Sequence, residues 1–256
     1  MVKKFTELTD FQWEVIKDLF PEQKICTHNL RTILNAILWI LRTGTQWRNM
    51  ESKYPPYSSV YHHFRKWRND GRFEKMSQLL NEIERVKNKK EKFPSLICTD
   101  SQTVKSVPFT ILEVGVDGGK KIKGRKRHII TDTMGLILGV VVTAANVYDG
   151  KIGIEVFGKF STLMNRVDKV LADGSYKGEF IEAIMNLIEA EVEISSRPPS
   201  SKGFVPIKFR WVVERSFGWF NFFRRLSKDY EKTVESSAAW IFLANSQIIL
   251  SRMVKN

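Results

Sequence analysis

The alternation of apolar and polar positions changes character once along this chain. Up to about residue 88, apolar residues recur three and four apart, the period of helices with one buried face. FQWEVIKDLF opens on a capping-box pair, Thr9 and Gln12, in which each side chain satisfies the other's backbone N–H. A second helix is expected from about Asn29 to Arg42, with Ile33, Ile37, Leu38 and Leu41 on its apolar side and Thr43-Gly44-Thr45 closing it. A third, from Ser58 or Ser59 to Gly71, turns Val60, Phe64 and Trp67 inward and leaves His62, Arg65, Lys66 and Arg68 on other faces. A fourth spans about Phe73 to Val86. KNKKEK (87–92) then breaks the pattern, and reads equally as a linker or as a solvated helix end.

Beyond Pro94 the period shortens to that of strands. SLICTD (95–100) reads as a short buried strand. Arg127–Thr131 and Leu136–Ala144 are rich in Ile and Val and are joined by Asp132-Thr133-Met134-Gly135, which predicts a hairpin. KVLAD (169–173) and EVEIS (191–195) are two further strands around a helix from Glu179 to Glu189, and RPPSSKG follows as a loop. Arg210 to Arg225 predicts a long, mostly buried helix, and a last helix spans about Glu235 to Met253. Strand, hairpin, strand, helix, strand, helix is a mixed α/β plan. Two domains are expected, a helical one over 1–92 and an α/β one over 93–256.

Composition narrows the partners. The 256 residues suffice for one large core or two small ones. A net charge of +13 points to a polyanion, nucleic acid foremost, with a basic surface kept for solubility as the alternative. Cys26 and Cys98 are the only cysteines, which excludes a disulfide framework and a thiolate zinc cluster. No apolar run reaches the ~18 residues that span a membrane, and none follows the first lysines as a secretory signal would. An intracellular, cytoplasmic protein is the expectation.

The candidate chemistry rests on carboxylates. Asp100 and Asp173 each close an expected strand, where α/β folds gather their reacting groups. Glu214 is the lone acid in RWVVERSFGWFNFFRR (210–225), where Arg210, Glu214, Gly218, Asn221 and Arg225 fall on one helical stripe. A buried acid needs a partner or a cation. The stripe therefore reads either as a metal-holding Glu beside phosphate-gripping groups, or as a Glu paired with Arg210 or Arg215 on a solvated edge. KKIKGRKRH (120–128) has six Lys or Arg in nine residues. It is expected on a surface near the sheet edge, where Lys121, Lys123, Arg125 and Arg127 would clamp phosphates. Arg65, Lys66 and Arg68 would face DNA from a recognition-type helix.

TDSQTVK (99–105), GGKKIKGRKRHIITDTMGLIL (118–138), ANVYDG (145–150), LADGSYKG (171–178) and RWVVERSFGWFNFFRRLSKDYE (210–231) together resemble the DDE transposases of bacterial insertion sequences, and most closely the insertion-sequence-five family. AILWILRTGTQWRNM (36–50) and YSSVYHHFRKWRNDGRFE (57–74) are similar to that family's helical DNA-binding region. The resemblance implies a ribonuclease-H-like mixed-sheet catalytic domain preceded by an all-α, helix-turn-helix-like domain. It implies that Asp100, Asp173 and Glu214 hold two Mg2+ ions, with Mn2+ able to substitute, for DNA cleavage and strand transfer. Double-stranded DNA, as terminal inverted repeats and target, would be the partner of a homodimer or larger assembly near the bacterial nucleoid. Arg210 fits the family's signature around the Glu, whereas Ile207 stands at its Tyr position and Asn221 at its basic position. A catalytically inactive DNA-binding descendant and a metal-dependent nuclease without strand transfer are the alternatives.

Overall fold

The computed structural model describes residues 5–21, 27–195 and 210–253. Its sheet is made by β1 (Leu96–Lys105), β2 (Gly115–Asp117), β3 (Ile122–Asp132), β4 (Ile137–Ala144), β5 (Lys169–Ala172) and β6 (Glu191–Ile194). β4, β3 and β1 pair antiparallel, and β5 and β6 continue the sheet from β1 in parallel. Three antiparallel strands followed by two parallel ones is the ribonuclease-H-like mixed sheet that was expected. The short β2 pairs only the outer end of β3.

β1 and β3 are both longer than the apolar runs suggest. β1 continues past Asp100 to Lys105 because β3 pairs it residue for residue, from Ile97↔Asp132 to Lys105↔Gly124. The polar half of that ladder is invisible to an apolar pattern, since its partners lie some thirty residues away. β3 in turn takes in the basic run. A β-bulge between Ile130 and Thr131 precedes the turn into β4.

The helices are α1 (Asp10–Ile16), α2 (Leu30–Thr43), α3 (Tyr57–Asn69), α4 (Arg72–Lys87), α5 (Asp149–Phe160), α6 (Glu179–Ile188), α7 (Arg210–Phe220) and α8 (Val234–Arg252). The capping box at Thr9 forms, and Val60, Phe64 and Trp67 are buried on α3. α5 carries three glycines and gives no helix signal in the sequence, because glycine disfavours helix interiors by about 1 kcal/mol each. Gly153 is needed there for closeness: a Cβ would stand 2.7 Å from Phe180 and 2.8 Å from Tyr176. α5 packs on β3 and β4, while α7 packs on β1 and β3 and α8 on β4.

The N-terminal helices share their core with the sheet. A single hydrophobic cluster runs from Leu8 to Met253. Trp240 of α8 stacks on Phe64 of α3 at 4.6 Å and lies 5.8 Å from Trp47. Polar groups pin α4 to the sheet and to α8. Asn81 donates to Ile137 O at 2.7 Å, and Asn245 donates to Ser77 Oγ and Asn81 Oδ1 at 2.8 and 2.9 Å. Arg85 pairs with the buried Asp132, whose carboxylate also accepts from Met134 and Leu136 N–H in the β3–β4 turn. KNKKEK closes α4: Lys90 N–H donates to Arg85 O and Arg85 Nε donates to Glu91 O at 2.7 Å. Of the two readings of that segment, the solvated helix end is the one that forms.

Candidate active site

Parallel pairing brings the two aspartates together. The β1–β5 register runs Leu96↔Lys169, Ile97↔Val170, Cys98↔Leu171. Two residues further on each chain stand Asp100 and Asp173. Both line one small cleft with Cys98, Thr99, Leu171, Ala172, Ser195 and Val213. Asp173 follows the last residue of β5, as expected, whereas Asp100 stands mid-strand rather than at a strand end. Each carboxylate is oriented locally. Asp100 accepts from Ser101 N–H at 2.7 Å. Asp173 accepts from Ser175 N–H at 2.8 Å and from its hydroxyl, an Asx turn that holds the loop leaving β5.

Glu214 is exposed on α7, one residue after the Val213 that walls the cleft. Among the described residues, no group of three or more His, Cys, Asp or Glu side chains is gathered tightly enough to hold a metal ion. The donor chemistry of the Asp100–Asp173 pair still suits a hard divalent cation, which takes carboxylate oxygens. Arg215 does not serve as a free counter-charge. Its guanidinium lies between Trp211 and Trp219, 4.5 and 4.7 Å from their ring centres, and donates to Met134 O at 2.8 Å.

Sequence reading missed the groups behind the aspartates. Tyr176 is fully buried three residues after Asp173; burial, then the charge of Asp100, pushes its phenol well above the ordinary value. Lys126 and His128, two apart on β3, share the face covered by α5. Lys126 Nζ donates to Asp149 Oδ1 at 2.9 Å, and His128 Nε2 meets Thr143 Oγ1 at 3.0 Å. Burial lowers the His128 pKa to about 4. The period-two alternation could have exposed this pair, but only once α5 was known to cover it.

The basic residues divide. Lys121 and Lys123 are exposed beside the β2–β3 turn. Arg125 and Arg127, expected on the surface, are 0% and 1% exposed, because β3 lies inside the sheet rather than at its edge. Arg125 pairs with Asp229 at 3.1 Å and donates to the carbonyls of Leu112, Glu113, Glu231 and Lys232. Arg225 is likewise buried and bound to Glu231 at 2.6 Å, so it leaves the predicted stripe. α7 ends at Phe220, and Asn221 stands exposed in the turn that follows. Arg210 opens α7, and its side chain lies outside the described residues, as do Ile207, Cys26 and the RPPSSKG loop. On α3, Arg65 is exposed and Lys66 half-buried, while Arg68 is tied to Ser236 Oγ at 2.6 Å and to Asn69.

A mixed sheet of this order, with one aspartate on β1 and another just past β5, has the ribonuclease-H-like arrangement. Residues 91–247 match the family described as "Transposase DDE domain", and residues 8–77 match "Putative transposase of IS4/5 family (DUF4096)". The chain belongs to the DDE transposases. It is 30% identical over 127 residues to a protein of Burkholderia cepacia called "Putative transposase for insertion sequence element IS402". That similarity covers 47% of this chain and 60% of the relative, so the chain matches less than two thirds of the relative's length. Among solved structures, it is similar to the Mos1 mariner paired end complex with Mn, at 11% identity and a TM-score of 0.32, covering 95% of this chain and 84% of that one.

Proposed function

We propose that this protein is a transposase that binds the ends of an insertion sequence and cuts and rejoins DNA, with Asp100, Asp173 and Glu214 as its catalytic carboxylates. The observation that carries this reading is that Asp100, on β1, and Asp173, just past β5, line one cleft with Val213, the residue beside Glu214. Asp100 and Asp173 would hold the divalent cations, Mg2+ or Mn2+, with Glu214 as third ligand. Ions held there would supply Lewis-acid stabilisation of phosphate charge and a more acidic nucleophile.

The chain's own part is position and field. The Ser101 N–H holds one oxygen of Asp100, and the Ser175 N–H one oxygen of Asp173. Lys121 and Lys123 draw in the duplex by charge. Arg65 and Lys66 on α3 serve end recognition. Joining two ends calls for two copies or more on double-stranded DNA. Asp100→Ala, Asp173→Ala and Glu214→Ala should each abolish Mg2+-dependent cleavage of terminal-repeat DNA while binding persists. Normal cleavage by any one of the three removes that residue from the site. Cleavage by the wild-type protein without strand joining leaves a nuclease, and binding without either leaves a DNA-binding descendant.

A further inference from the structure

The segment joining β1 to β2 is held firmly by its backbone and left bare by its side chains. Phe109, Ile111, Leu112 and Val116 are 67, 82, 56 and 53% exposed. Four large apolar side chains within eight positions are unusual on a soluble surface and mark a contact site. The backbone beneath them is tied at several points. Val107 N–H donates to Asp229 O at 3.1 Å, and Thr110, itself buried, donates to Val107 O at 3.0 Å. The buried Arg125 donates to Leu112 O at 2.8 Å and Glu113 O at 3.3 Å. Glu113 is held at φ 50°, a left-handed conformation that costs a non-glycine residue energy and persists only where neighbours enforce it. At the base, Gly115 pairs with Gly124, and a Cβ on Gly115 would stand 1.9 Å from Asn146 Oδ1.

The charges around this loop select its occupant. Lys105, Lys120, Lys121 and Lys123 are exposed on its two flanks, while Glu113 lines a neighbouring cavity with the exposed Glu155 and Glu235. Asp117 commits its carboxylate to Thr103 Oγ1 and to the Gly119 and Lys120 N–H groups of the turn, which hold it ionised below the usual carboxylate range. A symmetric contact with a second copy would set these lysines against one another, since such an interface opposes a patch to itself. A phosphate-bearing duplex meets both the lysines and the apolar tip.

We infer that residues 107–116 form an apolar wedge that enters duplex DNA between base steps and bends it, with the flanking lysines on phosphates either side. The inference rests on the transposase reading above. Apolar wedges that part base steps kink the duplex by roughly 20–90°. β1 carries the chain about 17 Å from Asp100 to Lys105. β1 thus holds the wedge apart from the cleft, so that it acts on the shape of the DNA rather than on the reacting phosphate.

The test uses the full chain and a short duplex with donor and acceptor dyes at its ends and 2-aminopurine inside. Wild-type protein should shorten the end-to-end distance and brighten the 2-aminopurine. Phe109→Ser with Ile111→Ser and Leu112→Ser should abolish both signals while the salt dependence of binding stays unchanged. Lys105→Gln with Lys120→Gln, Lys121→Gln and Lys123→Gln should lower the log–log salt slope by about 3.6. These positions are exposed, so circular dichroism should match the wild type. Full bending by the serine variant overturns the wedge. So does conversion of a DNA-free dimer to a monomer by that variant, which would make the patch a contact between copies. Wild-type protein that binds no duplex at all would instead defeat the transposase reading itself.

Discussion

The basic run that leads into strand β3 uses the same charge in opposite ways along its length. Lys121 and Lys123, at its mouth, stand in water beside an exposed turn. Arg125 and Arg127, a few residues inward, are buried between β1 and β4. Arg125 fills its fork with one carboxylate and four carbonyls. Arg127 has less: burial lowers its pKa to about 10, and the charge of Asp229 only partly offsets that. A run of basic residues in a sequence is therefore not a basic surface. One end of this run can attract a polyanion, while the other organises the loop that reaches outward.

The largest effect should come from breaking the inner half. Arg125→Leu leaves Asp229 buried without its counter-charge and frees four carbonyls. Removing one partner of a buried pair costs about 3–5 kcal/mol. Urea unfolding of the full chain should show a loss of that size; a loss below about 1 kcal/mol would mean that Arg125 is dispensable.

The next residue on the face covered by α5 gives a pH-dependent version of the same contrast. His128 has a folded pKa of about 4, against an ordinary value near 6.5, so the unfolded chain binds the proton more readily between those values. Stability contributed by neutral His128 is present above about pH 6.5 and is lost as pH falls towards 4. The full difference is on the order of 3 kcal/mol. His128→Gln should flatten the stability profile over that window, and an unchanged slope would show that His128 does not set it.

The smallest effect on stability belongs to the outer half. Lys121→Gln with Lys123→Gln should change unfolding free energy by less than about 0.5 kcal/mol. It should also lower the salt slope of DNA binding by about 1.8. An unchanged slope would leave the outer half with no demonstrated role and erase the functional side of the comparison.

What was legible in the sequence follows how local each determinant is. The inward residues of α2 and α3 could be read from their spacing, because helix periodicity is written in neighbouring residues. Asp100 and Asp173 were found from their positions by apolar runs. The register that sets them side by side, Cys98↔Leu171, comes from pairing across seventy residues. The burial of Arg125 and Arg127 was missed for the same reason, since it depends on β1 and β4 closing over β3. α5 was hidden by its three glycines, of which Gly153 is required by the contact with Tyr176 and Phe180. The stripe on α7 failed past Gly218 because the helix ends at Phe220 in successive i→i+3 turns, which redirect Asn221 and Arg225.

Helix α8 carries a consequence for how the protein is made. Its Trp240 completes the aromatic cluster of the N-terminal helices, and its Asn245 ties α4 to β4. A ribosome has therefore translated nearly the whole stretch before the earliest helices meet the side chains that close their core. Until then the nascent chain must stay soluble with Phe64, Trp47 and β4 incompletely covered, and a premature stop before residue 234 would leave both regions unfinished.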